Sequence, residues 1–190
     1  MHQFIRAVSV ALALVVGGAS QATVVNFDNP ALITIDDATN IATYLESGYA
    51  FTGDAASFLP IDGVGSAMSG GLVLFANSAV TLAASSMSPF SFTGFDAGRF
   101  DPDSAATLTI SGLFANNTQH NVTLSLGQLA NYAFTDFAGV SSLRFSASND
   151  LVFDTLSVQT SPVPEPATTA MLLAGLGVLA AMRKRAQRPD

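Results

Sequence analysis

The sequence predicts an all-β body, a two-sheet antiparallel sandwich carried between two apolar targeting segments. Three observations predict it: apolar residues recur at period two along most of the middle, the runs are short, and Gly, Asn, Asp or Pro punctuates them. Many short alternating strands of that kind bury one face each and close as packed antiparallel sheets.

In chain order, residues 1–22 open with Arg6, run apolar from Ala7 to Val16, and end in the small residues Ser20-Gln21-Ala22. A charged start, a short apolar stretch and a small-residue end make a cleavable export signal, entering the membrane as a helix, with the cut after Ala22. Residues 23–161 then form the body. Its strands are expected at 23–27, 32–35, 48–51, 72–75, 90–95, 107–110, 122–126, 131–134, 143–147 and 151–158. In Val122-Thr123-Leu124-Ser125-Leu126 the aliphatic side chains fall on one face and the hydroxyls on the other. Residues 37–46 carry Ile41, Tyr44 and Leu45 at helical spacing, although Thr39, Ile41 and Thr43 weaken a helix there. Asn116 to Asn121 reads as a hairpin connection. The glycine-rich stretch 62–71 reads as a loop, and its glycines do not make a dinucleotide fingerprint.

The last segment, 162–190, is organised differently. Pro164-Glu165-Pro166 precedes sixteen uncharged residues, 167–182, and the basic tail 183–190 begins Arg183-Lys184-Arg185. As a helix the apolar run would span about 24 Å, short of a bilayer core of about 30 Å, so it is a marginal transmembrane anchor. Basic residues favour the cytoplasmic side, which places the body outside, the orientation an N-terminal signal also requires. The two prolines hold Glu165 in an extended, accessible segment before the helix.

Removing both ends makes the body more acidic. Two arginines, Arg99 and Arg144, against twelve Asp or Glu leave −10, compared with −7 for the whole chain. Such a body offers no electrostatic footprint for nucleic acid or an anionic membrane surface. The chain has no cysteine, which excludes disulfides, thiolate catalysis and Cys-ligated zinc. Packing must therefore hold the domain together, with structural calcium as a candidate supplement and no other cofactor indicated.

Catalytic groups are scarce. The body has one histidine, His120, placed in the polar hairpin connection, and one glutamate, Glu46. Most aspartates sit beside turn-forming residues, where backbone hydrogen bonding explains them. A non-enzymatic role is expected, with no catalytic residue assigned and a secreted hydrolase the remotest alternative. Calcium needs converging oxygen ligands, and Asp101 and Asp103 supply two carboxylates in one tight segment. Asp154 on a regular strand shares a face with Val152, Leu156 and Val158. If that face is inward, its carboxylate needs either a cation or backbone N–H partners. Sugar binding normally uses aromatic platforms, but there is no Trp, and the phenylalanines fall at core positions.

Pro164-Glu165-Pro166, the apolar run with Gly175 and Gly177, and Arg183-Lys184-Arg185 together resemble the PEP-CTERM sorting signal of Gram-negative bacteria. The resemblance covers residues 162–190. It implies recognition by an exosortase-like membrane protease, transient membrane anchoring, and delivery to the cell surface or extracellular matrix of polysaccharide-producing cells. The body stretches Val25-Asn26-Phe27-Asp28, Glu46 to Phe51, Leu108 to Gly112 and Phe153 to Val158 are similar to landmarks of jelly-roll domains related to carbohydrate-binding modules. That second resemblance implies a jelly-roll-like sandwich with a structural or adhesive role in exopolysaccharide or biofilm, or a lectin-like sugar-binding module as the alternative. It also implies a structural calcium near Asp28 and Asp154, which the pairing of first and last strands would bring together.

Overall fold

The computed structural model describes residues 22–61, 70–101 and 103–160. Residues 1–21 and 161–190, which hold nearly all of the expected signal and the whole sorting segment, lie outside the described residues, as do 62–69 of the expected loop. Within the described residues the body is entirely antiparallel β, without an α-helix, and one 3-10 turn, Pro30–Leu32, interrupts it.

The twelve strands are β1 (Ala22–Val25), β2 (Ile33–Asp36), β3 (Ile41–Glu46), β4 (Tyr49–Asp54), β5 (Phe58–Ile61) and β6 (Gly71–Leu74), then β7 (Ala79–Ala84), β8 (Phe90–Arg99), β9 (Ala106–Phe114), β10 (Gln119–Leu126), β11 (Ala130–Ala147) and β12 (Leu151–Thr160). One layer runs β5-β6-β12-β8 and ends on the first half of β11, with β1 pairing the second half of β12. The other runs β2-β3-β4-β7, continues through the second half of β11, and finishes on β9 and β10. β11 belongs to both. Its register slips twice between Ala133 and Val140, and Gly139, at φ 76°, supplies the left-handed residue that lets the strand change layers.

The alternation seen in the sequence fills the space between the layers. Val80 and Leu82 on β7, Leu108 and Ile110 on β9, and Leu143 and Phe145 on β11 are all buried on one face. Phe145 meets Phe153 of the opposite layer at 5.2 Å between ring centroids, tilted at 60°. With no disulfide available, such aromatics carry the stability, each buried Phe contributing roughly 1.5–3 kcal/mol. Among the described residues the core is one cluster that leaves out Val73 and Val152 of the buried apolar side chains.

Three local differences from the expectation have clear causes. Residues 41–46 form a strand paired on both edges, because β-branched residues alternating with the buried Ala42 and Tyr44 suit a sheet better than a helix. The hairpin turn is confined to 115–118, with Asn117 at φ 61°, and His120 is therefore a strand residue of β10 opposite Gly112. β12 is not regular: Thr155 takes φ 40° and the register shifts between Asp154 and Ser157. That bulge takes Asp154 off the face of Leu156 and Val158, yet its side chain is still buried, at 9% exposure.

Candidate functional site

Three of the four carboxylates singled out as calcium ligands, those of Asp28, Asp101 and Asp154, accept local hydrogen bonds. Asp154 Oδ1 accepts the N–H of Thr155 at 2.7 Å and its hydroxyl at 3.0 Å, which secures the bulge. On the neighbouring strand Asp154 lies directly opposite Asp96, whose Oδ1 accepts from Asn131 Nδ2 at 2.8 Å. Asp28 is exposed and accepts from Asn26 Nδ2. The first and last strands do pair, Val25 opposite Leu156, but Asp28 and Asp154 are engaged with separate partners. Asp101 Oδ1 accepts the N–H of Asp103 at 2.9 Å, closing a turn. Asp36, Asp54 and Asp150 likewise accept backbone N–H groups, of Ala38, Ala56 and Ala76. The Ala38 N–H first, then the hydroxyl and N–H of Thr39, also hold the Asp36 carboxyl below its ordinary range.

Calcium takes six to eight oxygen ligands. Among the described residues no three Asp, Glu or His side chains are placed to share an ion. Asp28, Asp101 and Asp154 are each engaged with a separate local hydrogen-bond partner. Ala22 opens β1 opposite Gln159, so cleavage after it would leave the pairing of Thr23 to Val25 with β12 in place.

The one histidine offers little for hydrolysis. His120 packs against Phe137 at 5.5 Å between ring centroids, and its Nε2 lies 3.8 Å from Asp136 Oδ2, beyond hydrogen-bond reach. No serine hydroxyl bonds to it among the described residues, so the base-nucleophile pair of a hydrolytic centre is not assembled. Tyr44 and Tyr49 are buried, and among the described residues Phe100 is the exposed aromatic side chain, so aromatic platforms are scarce there.

The registers reveal a feature that reading along the chain does not. Thr34, Thr43, Thr52 and Thr81 stand directly opposite one another on β2, β3, β4 and β7. The same row continues through Arg144 on β11, Ser111 on β9 and Asn121 on β10. Thr43, Thr52, Thr81, Arg144 and Ser111 adjoin buried core positions such as Tyr44, Phe51, Leu82, Phe145 and Ile110, so this stretch of the row lies on the outer face of its layer. Around Arg144 the face dips into a depression of about 280 Å³, lined by Thr81, Ser111, Leu113, Gln119 and Ser142, with Gly112 in its floor. No acidic side chain lines it, and Arg144 makes no ion pair among the described residues.

The arrangement defines a β-sandwich with a polar, hydroxyl-rich sheet face. Residues 162–186 match the PEP-CTERM protein-sorting motif, so the chain carries a signal that implies export, transient membrane anchoring and surface sorting. No curated protein matches the chain. Among solved structures, the chain is similar to TmCBM61 in complex with β-1,4-galactotriose, at 9% identity and a TM-score of 0.39, covering 60% of this chain and 90% of that one. It is also similar to the family 11 carbohydrate-binding module of cellulosomal cellulase Lic26A-Cel5E of Clostridium thermocellum, at 10% identity and 0.36, covering 75% and 96%. A third, the CBM22-1-GH10 modules of xylanase 10B from the same organism with xylohexaose, gives 12% and 0.39, covering 72% of this chain and 27% of that one. At those TM-scores nothing about binding passes from these proteins to this chain.

Proposed function

We propose that this chain is a cell-surface or extracellular-matrix protein, released from its membrane anchor by an exosortase-like protease, whose body is a non-enzymatic structural or adhesive module in exopolysaccharide or biofilm. The observation that carries the proposal is the sorting motif at 162–186. The body, read as a jelly-roll-like sandwich, supports it by what its polar groups do. Asp36, Asp54, Asp101 and Asp154 bond to turns or a bulge, and among the described residues no serine hydroxyl bonds to His120.

Cell fractionation with intact-mass measurement tests this reading. The expected result is a surface or matrix protein that has lost residues 1–22 and the basic tail 183–190. A protein confined to the cytosol with both ends intact would overturn it. A lectin-like module is the second reading, favoured by the hydroxyl row that runs through Arg144.

A further inference from the structure

We infer that the Arg144 depression is a binding site for an acidic saccharide, with the guanidinium taking the carboxylate of a hexuronate unit and the surrounding side chains taking its ring hydroxyls. The inference deepens the polysaccharide-associated reading above and rests on it.

Charge points to the carboxylate. The body carries two arginines against twelve acidic residues, yet among the described residues no acid lines the depression or pairs with Arg144. An exposed guanidinium without a carboxylate partner presents a planar fork of donors matched to a bidentate carboxylate. Arg99 is different, since its Nη1 donates to the Ser104 carbonyl at 3.3 Å. A body of −10 would repel a dense polyanion. One cation among neutral groups suits a ligand whose charges are separated by uncharged, hydrogen-bonding units.

The neutral lining points to the sugar. Thr81, Ser111 and Ser142 offer hydroxyls and Gln119 an amide, groups that both donate and accept, as ring hydroxyls require. The row continues away from Arg144 as Thr81, Thr52, Thr43 and Thr34. Adjacent strands are about 4.8 Å apart, so the hydroxyls repeat at that interval over about 19 Å from Arg144 to Thr34. An extended saccharide chain can follow such a track. Because aromatic platforms are scarce, recognition here rests on hydrogen bonds and charge rather than on stacking.

The test is calorimetric titration of the full chain, held in detergent, with an oligosaccharide in which glucuronate alternates with neutral N-acetylglucosamine and with its methyl ester, which keeps the sugars and removes the charge. Wild type is expected to bind the acid about tenfold or more tightly than the ester. Arg144→Gln should abolish that preference with an unchanged melting temperature, whereas Arg99→Gln should keep it. Equal binding of acid and ester by wild type, or an undiminished preference in Arg144→Gln, would overturn the assignment while leaving polysaccharide association standing. Binding to neither oligosaccharide overturns the assignment too. If the chain then also fails to bind the polysaccharide of the producing cells, the broader reading falls with it.

Discussion

Glu46 holds Phe27 in a left-handed conformation: its Oε2 accepts the Phe27 N–H at 3.0 Å while Phe27 sits at φ 57°. The same oxygen accepts the Tyr44 hydroxyl at 2.9 Å. A bulky residue rarely adopts a positive φ, and here the fully buried Phe27 ring, 5.1 Å from Phe51 and 5.6 Å from Tyr44, offsets the strain. The body's one glutamate is thus a clip between the segment after β1 and strand β3. Glu46→Ala should cost about 2–4 kcal/mol, because it removes two hydrogen bonds to a charged acceptor. Glu46→Gln, which keeps one acceptor oxygen, should cost about half of that. Urea unfolding measures both, and an alanine variant as stable as wild type would refute the clip.

Tyr49 has a buried hydroxyl with no hydrogen-bond partner among the described residues, while its ring meets Phe90 edge-on at 5.4 Å. Tyr49→Phe keeps the ring contact and removes the unpaired group, so it should raise stability by about 1 kcal/mol. The hydroxyls also predict a pH dependence. Burial pushes the Tyr49 hydroxyl up, and burial followed by the bond to Glu46 pushes Tyr44 well above the usual phenol range. The unfolded chain releases these protons near about pH 10 and the folded chain only higher, so stability is full below that pH and falls as pH rises above it. Melting temperatures between neutral and strongly alkaline pH should show that decline, shallower in Tyr49→Phe.

Gly112 marks where the binding face and the core touch. A Cβ there would lie 2.7 Å from Phe137 Cδ1 and 3.2 Å from Val140 Cγ1, both in fully buried side chains. Close-packed rings cannot give way, so Gly112→Ala should destabilise the body by about 1–3 kcal/mol. Thermal melting of the variant decides this. If it melts with wild type, the Phe137 side of the core is looser than the packing indicates.

Strand existence was legible wherever apolar and hydroxyl residues alternate strictly, as in Val122 to Leu126 and Thr107 to Ile110. β5 escaped because Pro60 argues against a strand, and it is tolerated at the end of the layer where one edge is unpaired. β7 escaped because Ala79, Ala83 and Ala84 have weak strand preference until packing supplies it. β11 read as two pieces, since its bulged middle breaks the period. The turn role of the aspartates followed from their neighbours. The Thr34 to Asn121 row did not, because residues far apart in sequence become neighbours only through strand register.

Asp154 decides between a hydrogen-bonding role and a metal-binding one. Its Oδ1 serves Thr155 twice, and Thr155 is a β-branched residue held at φ 40°, a conformation that needs such support. Asparagine offers the same acceptor oxygen without the charge, so Asp154→Asn should stay within about 1 kcal/mol of wild type while Asp154→Ala loses about 1–3 kcal/mol. A calcium ligand would behave differently, since neutralising one carboxylate weakens a site that binds through charge. Chelation should leave the melting temperature of wild type where it was, because a ligand stabilises only the state that binds it. A melting temperature that rises with added calcium in wild type but not in Asp154→Asn would make Asp154 a metal ligand instead.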